Sequence, residues 1–184
     1  MSKKVLVIST SLRKGGNSET LADEFIRGAK EGDSEVEKIS LVEKNIAFCR
    51  GCLACLKAGK CVIADDAVEI ARKMSEADII AFATPIYYYE MCGQMKTLLD
   101  RVNSLYGTEY RFRDIYMLAT AAEDEESAFE KAENGLQGWV ECFPKAHLAG
   151  SVFAGGVDAV GAIAGHTALK KAYEMGKGAT HEKE

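Results

Sequence analysis

Four cysteines lie close together in the stretch CRGCLACLKAGKC, which runs from Cys49 to Cys61. Cys49, Cys52 and Cys55 follow a CxxCxxC pattern, and Cys61 comes after a short flexible stretch. Three thiolates at this spacing can hold one face of an iron-sulfur cubane, and the fourth can complete it. Structural zinc usually joins two separated CxxC pairs, which disfavours zinc. Free or redox-active thiols remain the alternative, so the residues leave both hypotheses open.

A second stretch, STSLRKGGNSETL, places hydroxyl side chains, an arginine and two glycines between a predicted strand and a predicted helix. Gly15 and Gly16 permit close backbone approach, and the first amides of a helix bind phosphate readily. The stretch lacks GxGxxG, and a P-loop would carry lysine where Asn17 stands. It therefore predicts a phosphate-binding loop, which is neither a dinucleotide fingerprint nor the phosphate loop of a nucleotide kinase or hydrolase.

Two further loops could hold a planar ring. In TPIYYYEMCGQMK, Pro85 is expected to end a strand, and three consecutive tyrosines, Tyr87 to Tyr89, supply flat amphipathic surface. In TAAEDEES, the small residues Thr120 and Ala121 would let a ring approach the backbone. The acidic residues that follow them are better explained as a solvated helix start than as catalytic carboxylates.

These loops are expected to meet because strands and helices alternate along the whole chain. Alternation predicts a parallel sheet with helices on both faces, and five strands favour the flavodoxin-like doubly wound order 2-1-3-4-5. Ligands bind such sheets at the carboxyl ends of the strands. The predicted strands are Lys4–Ser9, Glu35–Leu41, Asp78–Thr84, Ile115–Thr120 and His147–Ala154.

Composition limits the class of protein. A chain of 184 residues with 47% hydrophobic residues predicts one domain over residues 1–184, with the cysteine loop 49–61 inserted after strand 2. The net charge of −5 gives no basic field for nucleic acid or anionic lipid. The N-terminal apolar run is too short for a signal peptide or a membrane span, so we expect a cytoplasmic protein without a membrane partner.

Three motifs together resemble one family, the flavodoxin-like NAD(P)H-dependent FMN reductases. SLRKGGNSETL resembles their phosphate loop, TPIYYYEMCGQMKTLLDR is similar to their second flavin loop and helix, and GHTALKKAYEMGK is similar to their closing helix. Thr10 departs from the glycine that commonly precedes the serine of the phosphate loop. The spacing of the four cysteines resembles that of the iron-sulfur flavoprotein branch of the same family.

The resemblance implies a specific site. It implies FMN, with its phosphate held by Ser9, Ser11, Arg13, Asn17 and Ser18, and its ring system against Pro85, Ile86, Tyr87, Tyr88, Thr120 and Ala121. FMN carries the chemistry, so no catalytic side chain is predicted. In the iron-sulfur branch, Cys49, Cys52, Cys55 and Cys61 would ligate a four-iron four-sulfur cluster.

The expected activity is that of an FMN-dependent oxidoreductase, with NAD(P)H as donor and a small molecule such as a quinone as acceptor. One alternative is an iron-sulfur flavoprotein that accepts electrons from ferredoxin through the cluster. An alternative of another class is a non-enzymatic flavin electron carrier or redox sensor. The resemblance also implies a homodimer or homotetramer. Cys92 and Cys142 are expected to be core residues, and His166 to begin a helix.

Overall fold

The computed structural model describes residues 2–181. Its six strands are β1 (Lys3–Ser9), β2 (Ser34–Ser40), β3 (Ile79–Tyr87), β4 (Glu90–Met91), β5 (Asp114–Thr120) and β6 (His147–Ala154). Its six α-helices are α1 (Asn17–Ala29), α2 (Ala54–Ala58), α3 (Asp66–Glu76), α4 (Gly93–Arg101), α5 (Ser127–Val140) and α6 (Thr167–Thr180). A short 3₁₀ helix, Val102–Leu105, directly follows α4.

The sheet has the order β2-β1-β3-β5-β6, and all pairs on this path are parallel. The short β4 pairs antiparallel with the end of β3. Without β4 this is the 2-1-3-4-5 order, so the predicted flavodoxin-like doubly wound fold is confirmed. The order reverses at β1, and the carboxyl ends of β1, β3 and β5 therefore meet at the switch point, where such folds bind ligands.

Both faces of the sheet are covered, which explains why the central strands are continuous apolar runs. On one face, α1 packs on β1 and β3, and α6 packs on α1 and β6, through residues such as Phe25 and Ala172. On the other face, α3, α4 and α5 contribute residues such as Met74, Leu98 and Leu136. The two clusters fix the strands from both sides, and with them the loops at the switch point.

The segment around Pro85 differs from the expectation that this residue ends its strand. That expectation is wrong, because β3 continues to Tyr87 and turns back into β4. Pairing of β3 with β1 stops at Ser9 and Ala83, so the missing N–H of Pro85 removes no bond on that side. Tyr88 and Tyr89 form the hairpin turn at positive φ, 51° and 67°.

The cysteine stretch, which was expected to be loop, contains the short helix α2. Leu53 and Gly59 flank α2, and both adopt left-handed backbone conformations. The intervening residues, ACLKA, are mostly good helix formers, which accounts for the single turn. The other predicted strands agree with the structure to within a residue or two at each end.

Candidate flavin site and cysteine loop

The predicted phosphate and ring loops meet in one cavity of about 150 Å³ at the switch point. Nine of the residues named from the sequence line it: Ser11, Arg13, Asn17, Ser18, Pro85, Ile86, Tyr87, Thr120 and Ala121. The cavity thus brings together the loops after β1, β3 and β5. One part of its lining consists of hydroxyls, one guanidinium and a helix N-terminus. Another part consists of small or flat apolar groups.

The phosphate-loop part is built around the start of α1. Gly16 is the N-cap residue, and a Cβ there would lie 2.9 Å from the carbonyl oxygen of Arg13, so the tight turn requires glycine. Gly15 has φ +64°, and its N–H donates to the carboxylate of Glu19 at 2.8 Å. Unpaired amides at the beginning of an α-helix favour an anion. This geometry is compatible with the phosphate loop predicted from the sequence, and its binding of phosphate stays a prediction.

Asn17 has a role that the sequence did not suggest. Its Nδ2 donates to the carbonyl oxygens of Val157 (3.1 Å) and Ala159 (2.9 Å). Its Oδ1 accepts the N–H groups of Gly161 (3.1 Å) and Ile163 (3.4 Å). The side chain is thus engaged with the loop after β6, and the contribution of Asn17 to phosphate binding, which remains a prediction, would come from its backbone.

A fourth loop, residues 155–165 after β6, completes the cavity through Val157 and Asp158. The Nη1 of Arg13 donates to the carbonyl oxygen of Asp158 at 2.9 Å. Sequence reasoning named only three loops and missed this one. Its glycine-rich sequence, GGVDAVGAIAG, was the available signal, because Gly156, Gly161 and Gly165 have positive φ angles.

A second cavity of about 300 Å³ adjoins the first and shares Ile86, Tyr87, Ala121 and Ala122 with it. Tyr88 lines this second cavity rather than the first, and it is 98% exposed. Ser9 lines neither of the two. Its hydroxyl is buried and has no hydrogen-bond partner within residues 2–181. The proposed roles of Ser9 and Tyr88 in FMN binding therefore stay predictions.

Thr10 connects the phosphate loop to the ring loop. Its Oγ1 donates to the carbonyl oxygen of Ala83 at 2.9 Å and lies 3.2 Å from the Sγ of Cys92. The N–H of Cys92 in turn donates to the Oγ1 of Thr84. Both Thr10 and Cys92 are buried, as expected for Cys92. The threonine that departs from the family pattern therefore fixes the ends of β1 and β3 relative to each other.

The cysteine loop lies over a separate cavity of about 440 Å³. Cys49, Cys52, Cys55 and Cys61 all line it, together with α4, the 3₁₀ helix and the end of α5. A fifth thiol, Cys142, also lines this cavity and is exposed, so its assignment to the core is wrong. It follows the end of α5 instead of lying on the buried face of that helix.

The four loop thiols are free and do not form a closed ligand set. Within residues 2–181, no three Cys, His, Asp or Glu side chains are gathered closely enough to hold a metal ion. The thiols nevertheless face one cavity, and the Sγ of Cys55 accepts a hydrogen bond from Asn103 at 3.4 Å. The donor chemistry fits an iron-sulfur centre, whose presence stays a prediction.

The comparison with known families agrees with the geometry of the switch point. A family model described as NADPH-dependent FMN reductase matches residues 3–156. The chain belongs to this family. The match includes the phosphate loop, both ring loops and the cysteine loop, and it ends just inside the loop after β6. The family assignment supports FMN as the cofactor.

Curated relatives of this FMN reductase family member include two archaeal iron-sulfur flavoproteins. One, from Methanocaldococcus jannaschii, is 42% identical over 102 residues, which cover 55% of this chain and 53% of the relative. Another, from Archaeoglobus fulgidus, is 38% identical over 99 residues, which cover 54% of this chain and 45% of the relative. The chain spans about half the length of the curated relatives it matches.

Among solved structures, the chain resembles one titled NAD(P)H:quinone oxidoreductase from Methanothermobacter marburgensis. The TM-score is 0.74 at 16% identity, and the alignment covers 100% of both chains. At this identity the likeness shows the fold. Within residues 2–181, no helix combines the length and apolar character that crossing a bilayer would require.

Proposed function

We propose that this protein is an FMN-dependent oxidoreductase that takes electrons from NAD(P)H and passes them to a small acceptor of the quinone type. One observation carries the proposal: the loops after β1, β3, β5 and β6 converge on a single cavity that combines a phosphate cradle with an apolar, aromatic wall. FMN has the same two parts, a phosphate and a flat ring system.

Different lining residues of the first cavity would bind the phosphate and the ring system of FMN. Arg13, the hydroxyls of Ser11 and Ser18, and the start of α1 would bind the phosphate, since charge-assisted hydrogen bonds and helix N-termini suit an anion. Pro85, Tyr87 and Ala121 would lie against the ring. When bound, FMN supplies the electron transfer itself, and the protein orients the ring and excludes water.

The second cavity is the proposed place for the partner substrate. It shares Ile86 and Tyr87 with the first cavity and is otherwise lined by tyrosines, alanines and Glu123. Flat aromatic side chains favour a planar partner such as a nicotinamide or a quinone. The likeness to a solved NAD(P)H:quinone oxidoreductase supports this choice of donor and acceptor.

The test is FMN titration of the purified chain, followed by anaerobic NADPH and NADH oxidation with a quinone acceptor. Tight FMN binding and oxidation well above the rate of free FMN are expected. Bound FMN without added oxidation would point to an electron carrier or redox sensor instead. Failure to bind FMN would overturn the proposal altogether.

A second candidate is an iron-sulfur flavoprotein that accepts electrons from a ferredoxin-type donor. It is favoured by the four thiols that line one cavity and by the names of the two archaeal relatives. In this case Cys49, Cys52, Cys55 and Cys61 would hold a four-iron four-sulfur cluster. Iron and acid-labile sulfide analysis after anaerobic preparation decides between the candidates, since about four irons per chain are expected only for the second.

The assembly is part of the same proposal. We expect a homodimer or homotetramer, because several large side chains near the sites are exposed, among them Phe48, Leu53, Val62 and Tyr88. Sedimentation or light scattering of the FMN-loaded protein measures this directly. A monomer at micromolar concentration would contradict the expectation.

A further inference from the structure

Arg101, the last residue of α4, lies fully buried beneath the cysteine loop, with its side chain 0% exposed. Nη1 donates to the carbonyl oxygen of Ala47 at 2.6 Å, and Nη2 donates to that of Ile63 at 3.1 Å. The two nitrogens also bind Asp65, at 2.6 and 2.8 Å. Since Ala47 precedes Cys49 and Ile63 follows Cys61, one guanidinium holds both ends of the loop.

One donor of this guanidinium remains unused. Within residues 2–181, Nε of Arg101 is buried and meets no acceptor at hydrogen-bonding geometry. Arg101 also lines the cavity that the four thiols face. Buried N–H groups are rarely left without a partner, so an unpaired one beside a cavity indicates a ligand or side chain that approaches it there.

The cavity beside Arg101 is rich in sulfur. Cys61, at the end of the cysteine loop, lines the same cavity as Arg101, and so do Cys49, Cys52 and Cys55. Two residues after Arg101, Nδ2 of Asn103 already donates to the sulfur of Cys55 at 3.4 Å. The end of α4 and the 3₁₀ helix thus place N–H donors in the cavity that the four loop sulfurs line.

We propose that Arg101 is the positioning residue of the sulfur site: it fixes the ends of the cysteine loop and donates its Nε–H to the sulfur ligands around Cys61. This inference rests on the second candidate function, the iron-sulfur flavoprotein. Asp65 already balances the charge of Arg101, so the effect on the centre would come from the Nε–H donor, because N–H donors to sulfur raise the reduction potential of such centres.

Lysine would not replace this arginine. It carries the same charge, but it lacks the planar fork that reaches Ala47, Ile63 and Asp65 together, and it has no Nε–H at that place. Arg101→Lys therefore tests the planar guanidinium and its Nε–H donor, because the positive charge is kept. Arg111→Lys is the matched control, because Arg111 pairs with Asp78 at the surface through two nitrogens, Nε and Nη2.

The experiment compares wild type, Arg101→Lys and Arg111→Lys as full chains prepared anaerobically with iron and sulfide. Iron and sulfide per chain, retention of iron against a chelator, bound FMN and the midpoint potential of the centre are measured. We expect Arg101→Lys to lose iron about 10- to 100-fold more readily, to lower the midpoint potential of any centre retained, and to keep its FMN. Arg111→Lys is expected to match wild type.

The possible outcomes distinguish the role of Arg101 from the iron-sulfur candidate function on which it rests. If wild type holds iron and Arg101→Lys has the same retention and potential, the role of Arg101 is overturned while the iron-sulfur candidate stands. If wild type holds no iron or sulfide, the candidate and this inference both fall, and the FMN reductase proposal stands. If Arg101→Lys does not fold, Arg101→Gln combined with Asp65→Asn removes both buried charges together. Iron retention and a midpoint potential equal to wild type in that variant would also overturn the role of Arg101.

Discussion

Asn17 and Gly161 are joined by a hydrogen bond of 3.1 Å from the backbone N–H of Gly161 to the side-chain Oδ1 of Asn17. This bond connects the start of α1 with the loop after β6, which are 144 residues apart in sequence. A different segment of the chain, the loop after β6, therefore fixes the phosphate loop of the proposed FMN site through Asn17. For this reason, substitutions of Arg13 and Asn17 should have different effects.

Arg13→Ala should weaken FMN binding and leave riboflavin binding unchanged. Arg13 is an exposed residue that lines the cavity. Its positive charge would bind the phosphate group of FMN, which riboflavin lacks. Loss of one hydrogen bond to a charged group costs about 1.5 kcal/mol, or roughly a tenfold rise in Kd. Fluorescence titration with both flavins measures the two effects. An equal loss for FMN and riboflavin would remove Arg13 from the phosphate site.

Asn17→Ala should instead destabilise the fold and weaken both flavins. The substitution leaves the N–H groups of Gly161 and Ile163 and two carbonyl oxygens without their partner. A buried polar group left unsatisfied costs about 1–3 kcal/mol, which urea unfolding of the apoprotein would detect. Asn103→Ala is a control for loss of an asparagine amide away from this loop. Wild-type stability with lowered FMN affinity alone would mean that Asn17 binds phosphate directly.

The sheet could be predicted from the sequence because the patterns that indicate strands and helices are local. Apolar runs, alternating elements and the hydroxyl-rich stretch after β1 lie within short segments, and they led to the 2-1-3-4-5 order and to most of the cavity lining. Three findings depend on contacts between distant segments: Asn17 with the loop after β6, Thr10 with Cys92, and Arg101 with Asp65. No periodicity reveals such pairs.

The hairpin after β3 shows a different limit. Two-residue turns of this kind favour glycine and asparagine, because both central residues adopt positive φ. Here tyrosines occupy both positions. Local propensity therefore argued against a turn, and Pro85 suggested an early strand end. Positive φ at non-glycine residues is often found near functional sites, which accords with the position of Tyr88 at the second cavity.

Gly28→Ala should destabilise the packing of α1 against α6. A Cβ at Gly28 would lie 1.9 Å from the carbonyl oxygen of Tyr173, and one at Gly176 would lie 2.0 Å from that of Phe25. The helices must separate to admit a methyl group, and overpacking of this kind costs about 1–3 kcal/mol. Gly178→Ala is the matched control on α6, since nothing lies within 4 Å of its added Cβ. That variant should be neutral or gain up to about 1 kcal/mol from helix propensity.

Chemical denaturation at 25 °C measures both glycine variants. The difference between them is the informative quantity, because both replace a helical glycine by alanine. Equal stabilities for Gly28→Ala and Gly178→Ala would mean that α1 and α6 are not in close backbone contact.

Asp65 should make the stability of the protein depend on pH in the acidic range. Burial pushes its pKa upward, but hydrogen bonds from Arg101 and from the N–H groups of Ala47 and Ala67 outweigh that effect and lower the pKa below its ordinary value. A carboxyl with a lowered folded-state pKa contributes stability that is present above the unfolded pKa, about 3.9, and is lost as pH falls through the folded pKa. The contribution is therefore complete at pH 7.

Asp65→Asn tests this assignment. At pH 7 it leaves the guanidinium of Arg101 buried without its counter-charge, which costs about 3–5 kcal/mol. The stability difference between wild type and Asp65→Asn should begin to shrink as pH falls below about 4, because Asp65 then takes up a proton in the unfolded wild-type chain. It should vanish only below the lowered folded-state pKa, where Asp65 is neutral in the folded protein as well. Asp100→Asn is the control: it breaks an exposed pair with Lys96, and it should cost no more than about 0.5 kcal/mol at any pH. A difference for Asp65→Asn that stays constant from pH 7 to pH 3 would show that the charge of Asp65 does not stabilise the fold.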